Sequence, residues 1–214
     1  YSSYRGSTDA FVSKFNAAGS ALLFSTYIGG SNEDKANAIT LDPSGNIVIA
    51  GQTESGGATP FPTQGAMDSS YASGGSCSGG TCEDVFISKV SADGTTLLYS
   101  TYLGGSGEDE ANALTRDASG NTVLAGETQS SNYPTLNALD STFGGGTCSG
   151  NPCEDILVTK LNAAGSALLY STYMGGSGTD EGQGVAVDSA GSIYATGYTT
   201  STSGLTMLNA YDST

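Results

Sequence analysis

Four cysteines carry the plainest chemistry in this chain of 214 residues. Cys77 and Cys82 make one C-x4-C pair, and Cys148 and Cys153 make another, each in a Gly/Ser-rich insert. Four thiolates can hold zinc, but zinc sites of this kind favour C-x2-C spacing, and the chain has no His. The short and identical separation favours local pairing, 77 with 82 and 148 with 153, among the three connectivities open to four cysteines. Disulfides imply an oxidising, extracytoplasmic setting, so the chain is expected to be extracellular or at a cell surface.

The acids offer a second chemistry. Asp34, Asp109 and Asp180 stand in matching acidic loops and are weak candidates for Ca2+, which takes several oxygen ligands. No D-x-D-x-D-G spacing supports them, so no resident metal or other cofactor is expected. Lys14, Lys89 and Lys160 are also equivalent and make up half of the six basic residues. Identical repetition suits architecture better than a single active site. They are therefore expected to form ion pairs, either with Asp34, Asp109 and Asp180 or with Asp9, Asp84 and Asp155.

Catalysis finds little to work with. Without His there is no Ser-His-Asp or Cys-His arrangement. Acids abound, but nothing singles out two of them as a glycosidase pair. The pairs Gly29-Gly30, Gly104-Gly105 and Gly175-Gly176 follow a strand without leading into a helix, which argues against a phosphate cradle. The chain is not expected to be an enzyme. The net charge of -15 repels phosphate backbones and anionic lipid heads, so nucleic acid is a poor partner. No apolar run approaches the roughly 18 residues of a spanning helix, so membrane insertion is not expected. The opening Tyr-Ser-Ser-Tyr reads as mature or excised sequence rather than a leader. No N-x-Ser/Thr sequon occurs, while O-linked sugar on the Ser/Thr-rich inserts stays open.

The elements that position these residues are repeated. Leu97 to Ser106 reads LLYSTYLGGS; Leu168 to Ser177 differs only by Met174 in place of Leu103, and Leu22 to Ser31 reads LLFSTYIGGS. Aligned on Asp9, Asp84 and Asp155, the chain divides into an N-terminal part of a split insert (1–8), repeat 1 with a C-x4-C insert (9–83), repeat 2 with its insert (84–154), and repeat 3 with a truncated insert (155–214). Each unit holds four short apolar segments and no 3.6-residue stripe. Turns of form Asp-x-x-Gly at Asp42, Asp117 and Asp188 separate the third and fourth segments. The first segment is apolar on both faces and must be covered on both. The fold class predicted is all-β: three four-stranded antiparallel propeller-type blades in tandem, completed by neighbouring copies or a longer chain.

The run DAFVSKFNAAGSALLFSTYIGGS, the acidic loop, DPSGN and a Val/Ile-rich strand ending in Gly resemble the SBBP (seven-bladed β-propeller-type) repeat of bacterial extracellular proteins. That resemblance implies a propeller-like fold and a secreted or surface location, and implies no shared catalytic residues. Tyr27, Tyr102 and Tyr173 are expected to pack between blades rather than stack on sugar, and the absence of Trp weakens a lectin reading.

The motif Ala-x-Asp-Ser, at Ala66 to Ser69 and Ala138 to Ser141, recurs at Ala210 to Ser213. Placed before Tyr1, the last residues continue the period, so the third insert is expected to be split between the two ends. Three blades are fewer than a closed propeller normally holds. The function expected is a structural subunit of an extracellular filament or surface array, a head-to-tail homopolymer that could complete its sheets by strand addition. The alternative is a ligand-binding module, an adhesin or carbohydrate-recognition propeller, with glycans as partners.

Overall fold

A computed structural model describes residues 3–72, 76–77, 80–208 and 210. Tyr211 to Ser213 of the third Ala-x-Asp-Ser motif lie outside the described residues. Sixteen strands follow one another with no helix among the described residues. They are β1 (Ala10–Phe15), β2 (Leu22–Ile28), β3 (Asp34–Leu41), β4 (Ile47–Thr53), β5 (Ser76–Cys77), β6 (Gly80–Thr81), β7 (Asp84–Val90) and β8 (Leu97–Leu103). The second half repeats the pattern with β9 (Asp109–Arg116), β10 (Thr122–Thr128), β11 (Thr147–Cys148), β12 (Asn151–Pro152), β13 (Asp155–Leu161), β14 (Leu168–Met174), β15 (Asp180–Val187) and β16 (Ile193–Thr199).

The sheets do not follow the sequence units. The two four-stranded sheets run β3-β4-β7-β8 and β9-β10-β13-β14, all antiparallel. β1-β2 and β15-β16 form separate two-stranded sheets. Each complete blade therefore takes the second hairpin of one unit and the first hairpin of the next. The expected three blades resolve into two complete blades flanked by two halves. The physical reason lies in the connections. A short loop such as Gly29 to Glu33 can cross from an outer strand to the inner strand of the next blade. Three strand spacings are only ~14 Å, within reach of five extended residues. The long insert instead joins two adjacent strands, β4 and β7 or β10 and β13.

That insert also covers an edge. After β4 the chain turns back along β8, where Gln64 and Ser100 exchange backbone hydrogen bonds and the Tyr102 amide donates to the Asp68 carbonyl. Leu136 and Ser171 do the same beside β14, and the Tyr173 amide donates to Asp140. An otherwise open outer edge is thereby strapped.

Burial explains why these segments become strands. β4 and β7 are Val/Ile-rich and sandwiched between blades, so their residues are buried on both faces except the half-buried Lys89. One cluster around Val48, Val85, Leu124 and Leu157 joins the two complete blades, and a second around Val12, Ile49, Phe61 and Phe86 joins the first half-blade to its neighbour. Cys77 bonds Cys82 and Cys148 bonds Cys153, each closing a two-residue-per-strand hairpin within the insert.

Candidate functional site

The repeated polar residues prove to be seam fittings. Lys89 Nζ lies 2.7 Å from Asp42 Oδ2, and Lys160 Nζ lies 2.8 Å from Asp117 Oδ2. The partners are the turn acids of the strand pair alongside, not the two sets the sequence suggested. Direct pairing of β4 with β7 places Lys89 opposite Val48, close to the β3–β4 turn. That turn is itself built by Asp42, whose Oδ1 accepts from the Ser44 and Asn46 amides, while Gly45 takes a positive φ of 78°. Burial opposes ionisation of Asp117, but hydrogen bonds from Lys160 and Asn121 prevail and hold it down at about 2. Lys14, the third member, donates to the Ala92 carbonyl at 3.1 Å, and Asp188 lies half-buried in its own turn at the far end of the chain.

Asp34, Asp109 and Asp180 start the inner strands. Asp109 accepts from Thr128 Oγ1, from the Gly105 amide at 2.7 Å and from Ser130 Oγ at 2.8 Å. Asp34 accepts from Thr53, Gly30 and Ser55 in the same way, and Asp180 from Gly176 and Ser201. Each carboxylate ties the Gly-Gly crossover to the end of the neighbouring strand. Burial pushes Asp109 up to about 7 against these donors. The strand-leading acids play a related part. Asp84 and Asp155 accept from the Ala72 and Gly144 amides at 2.7 Å, which anchors the insert. Among the described residues no group of three or more His, Cys, Asp or Glu is placed to hold a metal.

Tyr102 and Tyr173 are buried, and their hydroxyls donate to the Ser55 and Ser130 carbonyls at 2.6 and 2.7 Å. Tyr27, at the equivalent place in the half-blade, is 39% exposed.

Sequence reasoning missed one fitting. The inner strands each carry a bulge at Asn37, Asn112 or Gln183, which is skipped in the strand register of the hairpin. A bulge re-aims its side chain. Asn37 Nδ2 donates to the Ala111 carbonyl of the next blade at 3.2 Å, and Asn112 Nδ2 to Gly182 at 3.3 Å. The bulge also dictates the glycine that closes each fourth segment. A Cβ at Gly51 would lie 1.9 Å from the Lys35 carbonyl oxygen, and one at Gly126 equally close to that of Glu110. The Ala-Asn-Ala run and that glycine were the available signal.

The two ends of the array differ from its middle. Phe11 is 63% exposed where Phe86 is 0%. β16 is almost wholly exposed where β4 is wholly buried. At the first end, β1 and β3 flank a groove of about 430 Å3 lined by Val12, Phe15, Ile39, Leu41 and Ile47. At the other, β16 and the second blade flank a groove of about 410 Å3 lined by Val158, Tyr170, Met174, Ile193 and Ala195. Both grooves lie where a strand pair sits in the complete blades.

A family model described as a beta-propeller repeat, SBBP, matches residues 23–57 and 169–204. Each matched segment begins in an outer strand and runs through the inner hairpin of the next blade. No curated protein matches the chain. Over those two segments the chain matches the SBBP beta-propeller repeat.

Proposed function

We propose that the chain is a structural subunit of an extracellular filament or surface array, assembling head-to-tail through its blades. One observation carries the reading: the half-blade at one end is the complement of the half-blade at the other. β1-β2 corresponds to the outer hairpin β7-β8, and β15-β16 to the inner hairpin β3-β4. Joined across two copies, they make a blade of the same composition as the internal ones. A contact that joins unlike ends extends without limit unless its rotation closes a ring.

The large exposed side chains Phe11, Phe15, Ile39 and Leu41 at one end and Tyr194 and Tyr198 at the other then have a place to be buried. Two disulfides suit an oxidising exterior, and no helix of the described residues is long and apolar enough to cross a membrane.

Electron microscopy of the full chain in native buffer, over a range of concentrations, tests the reading. Fibres of uniform width that lengthen with concentration are expected. Particles of single-chain size at every concentration, or small closed rings, would overturn it.

A further inference from the structure

We propose that the joint between successive copies is one four-stranded blade, ordered β15-β16 from one copy and β1-β2 from the next, in the register of the internal blades. The inference rests on the head-to-tail reading and names its contact. β4 sets Ile47 opposite Val90 and Thr53 opposite Asp84, and β10 sets Thr122 opposite Leu161 and Thr128 opposite Asp155. The same register places Ile193 opposite Phe15, Ala195 opposite Ser13 and Thr199 opposite Asp9 of the next copy.

Four fittings that recur at the internal seams find their missing members in this arrangement. The ion pairs Lys89–Asp42 and Lys160–Asp117 continue as Lys14 of the next copy with Asp188. The bulge clasps of Asn37 and Asn112 continue as the Gln183 amide donating to the Ala36 carbonyl of the next copy. Rings pack on turn glycines inside the chain: a Cβ at Gly94 would lie 2.5 Å from Phe24, and one at Gly165 2.4 Å from Tyr99. Gly19 has the same turn and φ of 67° with nothing within 4 Å, and Tyr170 is the ring that reaches it from the preceding copy. The straps at Gln64–Ser100 and Leu136–Ser171 continue as Leu208, 83% exposed, along Ser25 of the next copy.

The charges also favour a second copy as occupant. The internal seams bring carboxyl groups together, Glu83 with Glu110 and Glu127 with Glu181. Burial raises Glu83 and Glu127, and the facing carboxyl raises each of them further. At the joint the places of Glu127 and Glu181 fall to Tyr198 and to Lys35 of the next copy. Tyr198 already holds Glu181 through its hydroxyl and Lys35 is ion-paired with Glu33, so the joint sets a tyrosine and a lysine where the internal seam sets two carboxyl groups. The repulsion present within the chain is absent between chains.

Charge reversal across the joint tests this. Lys14→Asp and Asp188→Lys, each alone, set like charges against one another in a seam whose internal equivalents are largely buried. Each variant should assemble roughly a hundred-fold more weakly than the unaltered chain. Mixing the two should restore assembly as an alternating copolymer, because every joint then pairs opposite charges. Lys14 is exposed and Asp188 half-buried in the single chain, and melting of the dispersed variants close to that of the unaltered chain confirms that each folds.

A second arm uses Ser13→Cys with Ala195→Cys, which should yield a ladder of covalent multimers on a non-reducing gel. Ser13→Cys with Tyr194→Cys, one residue out of register and on the opposite face, should not. Unaltered chains that assemble while mixing fails to rescue, or while both cysteine pairs react alike, would overturn this joint and leave head-to-tail assembly standing. Unaltered chains that never assemble would overturn both.

Discussion

Lys89 and Asp42 meet at 2.7 Å across the seam between β7 and the β3–β4 turn, with their side chains only 14% and 6% exposed. The two residues come from different sequence units, so the contact exists only because the blade boundary falls inside the unit. The same pair recurs as Lys160 with Asp117. Such an interaction costs little to keep once formed, but removing one partner strands the other charge away from water.

Lys160→Ala should lower the stability of the single chain by roughly 3 kcal/mol, and Lys89→Ala by less, because Arg116 Nη1 still lies 3.7 Å from Asp42 Oδ2. Lys14→Ala should lower it by less than about 0.5 kcal/mol, since its side chain lies on the surface of the half-blade. Chemical denaturation of the three variants under dispersing conditions checks the contrast. Equal losses at all three sites would mean that Lys14 already has its partner within the chain.

Phe86 and Phe11 make the matching apolar comparison. Phe86 packs against Phe61, with ring centroids 4.3 Å apart, and is fully buried. Phe86→Ala should cost about 4 kcal/mol. Phe11→Ala should leave the single chain's melting nearly unchanged and weaken assembly instead. Sedimentation velocity beside thermal melting separates the two effects.

Gly51 and Gly126 lie opposite the bulges, where a methyl group would strike a backbone oxygen at 1.9 Å. Backbone cannot move aside as a side chain can, so Gly51→Ala or Gly126→Ala should cost more than about 2 kcal/mol. Gly57, with nothing within 4 Å and no positive φ, should accept Ala within about 0.5 kcal/mol. Urea midpoints of the three variants give the answer.

Acidity should stabilise the chain. Burial raises Asp109 and Glu127 to about 7 and Asp155 to about 6, and a neighbouring acid adds to each. A carboxyl whose folded pKa is raised contributes stability that is complete below its unfolded value, near 4, and is lost as pH climbs through the folded value. Asp117 acts oppositely: held down at about 2, it contributes above pH 4 and loses that contribution as pH falls towards 2. The melting temperature should therefore peak near pH 4, fall by several degrees towards pH 8, and fall again below pH 3. A melting temperature that rises steadily from pH 5 to pH 8 would contradict the burial of these acids.

Much of this architecture could be read from residues. The LLYSTY runs, the Asp-x-x-Gly turns and the both-faces-apolar first segments pointed to all-β units of four strands. The grouping of those strands could not be read, because a repeat has no beginning. A unit that starts at Asp9 and a unit that starts at Asp34 are written in the same periodic sequence. What separates them is spatial: five residues from Gly29 suffice to change blades, while thirty from Glu54 return to the same one. The cysteine spacing led directly to the two hairpins it closes.

The lysines were recognised as structural, but their partners were not. Asp42 and Asp117 already had a sufficient explanation as turn formers, and the ion pair needs the shifted sheet. Asn37 and Asn112 were marked only by the Ala-Asn-Ala run and the glycine that closes the fourth segment, since a bulge appears only when two strands are set side by side.

Amide hydrogen exchange on the full chain, read in dispersed and in concentrated material, tests the blade-completing joint most directly. The amides of Ile193 to Thr199 and Ala10 to Phe15 should exchange rapidly on their open edges when the chain is dispersed. On assembly they should slow to the level of Ile47 to Thr53, while the internal blades change little. Assembled material in which Ile193 to Thr199 still exchanges at the dispersed rate would contradict the account.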